Sequence, residues 1–167
     1  MPLIRDGGFT ADDWRWLGEG EASAPGQNAV IPLKRLLDEG EAAGARGVEV
    51  PNNTQPESLA PLFGRLDLIV IPFPAFNDGR GFSLGKRLRR LGFQGELRAK
   101  GHIIPDQYAY ARACGFDTIE ISDALAARQP EAHWREAAAS MSLGYQPGYP
   151  GPQNILIARY RARDADR

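Results

Sequence analysis

Asn77-Asp78-Gly79-Arg80-Gly81-Phe82-Ser83 is the stretch whose residue types and spacing come closest to chemistry. Gly79 and Gly81 would let backbone N–H groups approach a ligand closely. Ser83 reads as the N-cap of a following helix, whose first turn offers unpaired donors and the positive end of its dipole. Arg80 would add a bidentate grip on a carboxylate, a phosphate or a sulfur oxyanion. Asn77, Asp78, Gly79, Arg80, Gly81 and Ser83 are therefore an expected anion cradle. The plainer alternative is a βα loop in which Asp78 only braces Arg80. The loop is neither a Walker motif nor a Gly-x-Gly-x-x-Gly dinucleotide turn.

Further along the chain, His102 and Asp106 are the candidates for acid–base work, with Arg98 and Lys100 beside them as further ligand-binding cations. A histidine between opposing charges can serve as a general acid. The competing roles are a hydrogen-bonded loop histidine and an aspartate at the first turn of a helix opened by Pro105. Two histidines, His102 and His133, without paired ligand spacing argue against a zinc site. Cys114 has no second thiol for a disulfide or a redox cycle and reads as a small buried apolar residue. Glu120 alternates with Ile119 and Ile121, which suggests an ion-paired structural role. Trp134, Tyr145 and Tyr149 could wall a pocket or pack as core.

The net charge of −1 conceals an uneven distribution. Between Phe73 and Arg112 eight Lys/Arg face three acids, a net +5, so the remainder carries −6. Lys86, Arg87, Arg89 and Arg90 lie off the Leu84/Leu88/Leu91 stripe of the helix at 83–91, either as a solvated face or as a docking patch for an acidic partner. No interleaving of basic and aromatic residues accompanies them, which argues against nucleic acid. No apolar run reaches the length of a membrane span, and the first residues lack the apolar core of a leader. A cytoplasmic protein is expected.

These residues need elements to place them. At 167 residues, with 43 % hydrophobic and 25 % charged content, the chain suits one soluble domain, 1–167. Residues 2–9 read as a short edge strand, and Thr10 as the cap of a brief helix carrying Asp12, Asp13, Trp14 and Trp16; together with the loop at 18–28 they form an N-terminal segment, 1–28. Strands are expected at 29–33, 48–50, 66–71, 96–100, 117–121 and 155–160. Helices lie between them, anchored by Leu33, Leu36 and Leu37, by Leu59, Leu62 and Phe63, and by Leu84, Leu88 and Leu91. Leu91-Gly92-Phe93 and Cys114-Gly115-Phe116 form a weak internal repeat in which glycine ends a helix and the next residue packs back on it. One or two helices, interrupted near Pro130, fill 124–139; a Pro/Gly-rich loop spans 145–152 and a frayed tail 161–167. Alternation of strands and helices implies a single α/β domain with an open, mainly parallel sheet and helices on both faces, a flavodoxin-like or Rossmann-like three-layer arrangement. In such a sheet every strand's C-terminal end lies on one edge, which would gather residues 51–54, the Arg80 loop, His102 with Asp106, and Ser122 with Asp123.

Asn77-Asp78-Gly79-Arg80-Gly81-Phe82-Ser83, Leu88-Arg89-Arg90-Leu91-Gly92-Phe93, Gly95-Glu96-Leu97-Arg98-Ala99, Asp106-Gln107 and Gly115-Phe116-Asp117 together resemble a bacterial family of uncharacterised proteins labelled as oxidoreductases of sulfite reduction. Asp12-Asp13-Trp14 and Val30-Ile31-Pro32-Leu33 fit it too. The resemblance implies a role beside assimilatory sulfite reductase, next to whose gene members are typically encoded. It carries no catalytic residues that could be transferred. Two functions are thus expected: an accessory protein that binds a small anion or docks on sulfite reductase, or an oxidoreductase with a dissociable flavin or NAD(P), although no cofactor motif is identifiable.

Overall fold

The computed structural model describes residues 1–24 and 26–140. They build one eight-stranded sheet: β1 (Leu3–Arg5), β2 (Gly8–Thr10), β3 (Arg15–Trp16), β4 (Ala29–Pro32), β5 (Gly47–Glu49), β6 (Leu68–Phe73), β7 (Glu96–Gly101) and β8 (Thr118–Glu120), in the order β2-β1-β8-β7-β6-β5-β4-β3. Strands β3 to β8 run parallel, and β1 pairs antiparallel with both β2 and β8. Five helices accompany them among the described residues: α1 (Leu33–Glu39), α2 (Arg80–Arg90), α3 (Tyr108–Ala113), α4 (Asp123–Arg128) and α5 (Glu131–Ser140), with short 3-10 turns between. A single α/β domain with a mainly parallel sheet is as expected. No helix among the described residues is long and apolar enough to cross a membrane.

The layering differs from the expectation. Each parallel strand lies on the same side of its predecessor, so the winding never reverses and there is no switch point. Right-handed crossovers that always step one way stack their helices on one face. The burial pattern agrees. Ile31, Val48, Ile69, Ile71, Leu97, Ala99 and Ile119 join Leu36, Leu84, Leu88, Tyr108, Ala111 and Trp134 in one large core. The opposite face carries only a small cluster of Val30, Leu68 and Val70, covered by Trp14 and Trp16. Continuous apolar character in β6 thus reflects two tryptophans rather than a second layer of helices.

The sheet is curled. β2 and β3 form its two edges, yet residues 11–14 alone connect them. In a flat sheet the edges would stand seven strand spacings, ~34 Å, apart, whereas the five Cα steps from Thr10 to Arg15 reach at most ~19 Å. The connection is a strap drawn as a chord across the face away from the helices, which makes that face concave. The helix expected after Thr10 is therefore absent; its Asp12 and Asp13, read as first-turn carboxylates, belong to the strap. Residues 2–9 form a hairpin rather than one edge strand, turning at Asp6 and Gly7 with φ of 50° and 80°. Leu37 and Leu91, expected on apolar stripes, are exposed.

The internal repeat is real and extends one residue type further than the glycines. Phe93 N–H donates to Leu88 O and Gly92 N–H to Arg89 O; Phe116 N–H donates to Ala111 O and Gly115 N–H to Arg112 O. Both are Schellman ends. In each, the arginine three residues before the glycine donates to the carbonyl of the following phenylalanine: Arg89 to Phe93 O at 2.8 Å, Arg112 to Phe116 O at 3.2 Å. Of the one or two helices expected at 124–139, two are seen, α4 and α5. The loop expected at 145–152, the strand at 155–160, the tail at 161–167, and Tyr145 and Tyr149 lie outside the described residues.

Candidate functional site

The Arg80 loop stands at the C-terminal end of β6, where parallel topology places it. Its arginine is occupied. Arg80 Nε and Nη2 donate to the two carboxylate oxygens of Asp78 at 2.9 and 2.6 Å, and the Arg80 backbone N–H also donates to Asp78. Asn52 Nδ2, from the loop after β5, donates to the same carboxylate at 2.9 Å. These hydrogen bonds, Arg80's first, hold the Asp78 carboxyl well below the usual carboxylate range. Arg80 is itself 63 % exposed, so its outer edge faces solvent.

The helix begins at Arg80 with Gly79 as N-cap; Ser83 lies inside α2 and is exposed, and it does not cap the helix. Gly81 has a packing reason. A Cβ there would stand 2.5 Å from the Phe73 ring, so the glycine lets α2 sit down on β6. Gly79 has an ordinary φ of −76° and open space around it. Asn77 is exposed. Asn77 to Ser83 thus holds one exposed arginine already bound by its neighbour.

Arg98 and Lys100 are placed elsewhere. Strand register puts them on the concave face, with Glu49, Glu96, Thr118, Glu120 and Arg5. Arg98 is fully buried. Its Nη1 and Nη2 donate to the Asp12 carboxylate of the strap at 2.7 and 2.9 Å, while Glu96 and Glu120 stand further off at 3.2 and 3.4 Å. Glu96 in turn accepts from Thr118 Oγ1 at 2.6 Å and Arg5 Nη2 at 2.9 Å. Lys100 Nζ lies 3.3 Å from the centre of the Trp16 ring and 3.0 Å from Glu49 Oε2. Every buried side-chain polar atom among the described residues has a partner. Glu120 is ion-paired, as expected. Asp12, Glu49 and Trp16 were missed. Their signal was present for β7: Glu96-Leu97-Arg98-Ala99-Lys100 alternates strictly, which marks a strand with one polar face.

His102 is exposed, and its backbone N–H donates to Phe73 O. No hydrogen bond or ion pair joins its side chain to Asp106, Arg98 or Lys100 among the described residues. Asp106 sits in the 3-10 turn Pro105–Gln107 and lines a cleft of about 460 Å³ whose other wall carries His133 and Glu136 from α5. The two candidate acid–base residues are thus not hydrogen-bonded to each other among the described residues, and Asp106 shares its cleft with the second histidine. No group of three or more His, Cys, Asp or Glu among the described residues could hold a metal ion. Cys114 is buried, and burial pushes its thiol up.

The cations of α2 divide. Arg89 is structural: besides the Phe93 carbonyl it donates to Gly95 O and Gly115 O, at 2.8 and 2.9 Å, and pairs with Asp117. Arg87 pairs with Glu57. Lys86 and Arg90 are exposed and have no carboxylate partner among the described residues.

A comparison with family models matches residues 47–156 to a family described as bacterial protein of unknown function, DUF934. The match spans well over half of the chain and includes β5 to β8, α2 and α3. A comparison with curated proteins finds no match.

Proposed function

The chain belongs to the bacterial DUF934 family, and from that premise we propose that it is an accessory protein of assimilatory sulfite reduction which docks on sulfite reductase through the outer face of α2. The observation that carries the docking is the division of the cationic segment. Arg80, Arg87, Arg89, Arg98 and Lys100 are each engaged by a carboxylate of this chain, whereas Lys86 and Arg90 have no carboxylate partner among the described residues. Beside them Leu91, which follows α2, is 42 % exposed, and Tyr110 of α3, its ring packed against Phe82 of α2, is 60 % exposed. Exposed cations around apolar surface suit an acidic protein partner. The sulfite-reduction setting comes from the sequence resemblance.

Binding of a free oxyanion at Asn77 to Ser83 has less support, because Asp78, two residues from Arg80 in the same loop and held also by Asn52, already fills the Arg80 fork. A dissociable flavin or NAD(P) meets the same obstacle: Gly81 is taken by Phe73 and Arg80 by Asp78, so the loop offers no cradle for a cofactor phosphate.

The test has two arms. Purified protein should associate with sulfite reductase at low ionic strength and release it as salt is raised. Deletion of the gene should leave growth on sulfide intact while impairing growth on sulfite. Absence of association, together with normal growth on sulfite, removes the proposal. Absorbance that reveals bound flavin, or saturable binding of FMN, FAD or NAD(P)H, would favour the oxidoreductase reading instead.

A further inference from the structure

We propose that the Arg98 fork is a binding site for a small carboxylate or oxyanion, which the strap occupies with its own Asp12. The guanidinium is aimed at the strap. Three carboxylates surround it, but both short hydrogen bonds, 2.7 and 2.9 Å, go to Asp12, and the two strand carboxylates are left at 3.2 and 3.4 Å. A planar fork meeting a single carboxylate edge-on is the geometry by which arginine recognises carboxylates and tetrahedral oxyanions. The occupant comes from a four-residue connection rather than from the sheet that holds the arginine.

Glu96 and Glu120 belong to strands and pair with Arg98 within the sheet, Glu96 being itself held by Thr118 and Arg5. Asp12 alone arrives from the strap. Its side chain keeps 23 % of its surface exposed while Arg98 has none, so solvent reaches the pair from the Asp12 side. Replacing Asp12 by a free anion exchanges one negative charge for another and leaves the charge around Arg98 unchanged. The incoming group needs only the space that the Asp12 carboxylate leaves.

Trp14 ends the strap and Trp16 follows it in β3, both packed against Val30, Leu68 and Val70, so lifting the strap alters the surroundings of Trp14 and of its neighbour. This makes displacement readable by fluorescence. The site does not depend on the docking surface of α2, which lies on the helical side of the sheet, so either proposal can fail alone.

The experiment uses Asp12→Ala, with Asp13→Ala as a control on the same strap. Acetate, sulfite and phosphate are each titrated at constant ionic strength with chloride as the reference, following the thermal midpoint and tryptophan fluorescence. The population of the open site limits the wild-type affinity, and removing the tethered carboxylate lifts that limit. We expect at least one of the three anions to stabilise Asp12→Ala saturably, with an affinity at least about tenfold tighter than in wild type or Asp13→Ala. Equal responses in Asp12→Ala and wild type, or no effect beyond chloride, overturn the proposal. Should Asp12→Ala fail to fold, the wild-type titration decides: a saturable change in tryptophan fluorescence with an anion other than chloride supports the site, and a flat response overturns it.

Discussion

Arg98 of β7 and Asp12 of the strap are joined by two parallel hydrogen bonds across 86 residues of sequence. The pair ties the strap that spans the sheet edges to the middle of the concave face. Its two partners are not equivalent. Removing Asp12 leaves Arg98 with Glu96 and Glu120 as counter-ions, whereas removing Arg98 leaves three carboxylates facing one another where the arginine was buried. Asp12→Asn should therefore cost about 1–2 kcal/mol, the scale of a weakened charge-assisted hydrogen bond. Arg98→Met should cost about 3–5 kcal/mol or prevent folding, because it leaves buried charge uncompensated. Urea unfolding of the two variants checks the order; equal losses would show that the strap, and not the buried arginine, dominates.

Gly79 and Gly81 look alike in the sequence and have different work. Gly81→Ala forces a methyl group against the Phe73 ring and should destabilise by about 1–3 kcal/mol, as overpacking does. Gly79→Ala meets nothing within 4 Å and keeps a permitted φ, so its loss should stay within about 0.5 kcal/mol. A cradle built from both glycines would instead show similar stabilities and a shared loss of ligand binding. Thermal midpoints and anion titration of both variants separate the cases.

Local signals were legible where they depended on neighbours in the chain. The two glycine–phenylalanine helix ends appear as expected because Schellman closure is a matter of a few consecutive residues. The α4–α5 break at Pro130 is equally local. The strap was not legible: Thr10, Asp12 and Asp13 carry the composition of a helix start, and what holds Asp12 in extended chain is an arginine far along the sequence. Strand order was hidden for the same reason. With it went the distinction between helices on two faces and helices on one. The alternation in β7 was the available clue, since a strand covered by helices on both sides has no place for Glu96, Arg98 and Lys100 on one face. Of the candidate site, the position of the Arg80 loop followed from topology, but its closure by Asp78 and Asn52 depended on side-chain geometry.

Acid should weaken the fold through particular carboxylates. Asp78 and Asp67 are both held below their ordinary range, by side-chain hydrogen bonds from Arg80 and Arg46 respectively. A folded-state pKa below the unfolded value gives stability that is complete above the unfolded value, near ~4, and is lost as the pH falls toward the folded one. Stability should thus be flat in this respect from pH 7 to about 5 and decline below about 4. Asp78→Asn should make that decline shallower, because one group that must take up a proton on unfolding is gone. Denaturation midpoints at pH 7, 4 and 3 for wild type and Asp78→Asn measure it; identical slopes would mean that the Asp78–Arg80 pair does not persist in solution.

Cys114 should behave as a packing residue. It is buried at the end of α3, and burial raises its thiol above the ordinary value, so little thiolate forms near neutral pH. Reaction with an aromatic disulfide reagent at pH 7.5 should be slow in the native protein and become complete on addition of denaturant. Rapid native reaction would reopen a redox role for this thiol.

The surface proposed for docking makes a sharp demand on α2, because its five cations differ in what they touch. Lys86→Glu/Arg90→Glu changes two exposed side chains with no carboxylate partner among the described residues, so stability should move by no more than about 0.5 kcal/mol per site. Arg89→Glu changes the residue that holds Phe93 O, Gly95 O, Gly115 O and Asp117, and should lose several of these bonds at once, about 3 kcal/mol or more. If α2 meets an acidic surface of sulfite reductase, the double reversal should slow association by about tenfold or more at low salt, and the gap from wild type should close at high salt. Screening cannot close a gap that comes from misfolding, so the salt series distinguishes a lost docking charge from a damaged helix. A double reversal that associates as well as wild type at low salt would place the partner, if there is one, away from α2.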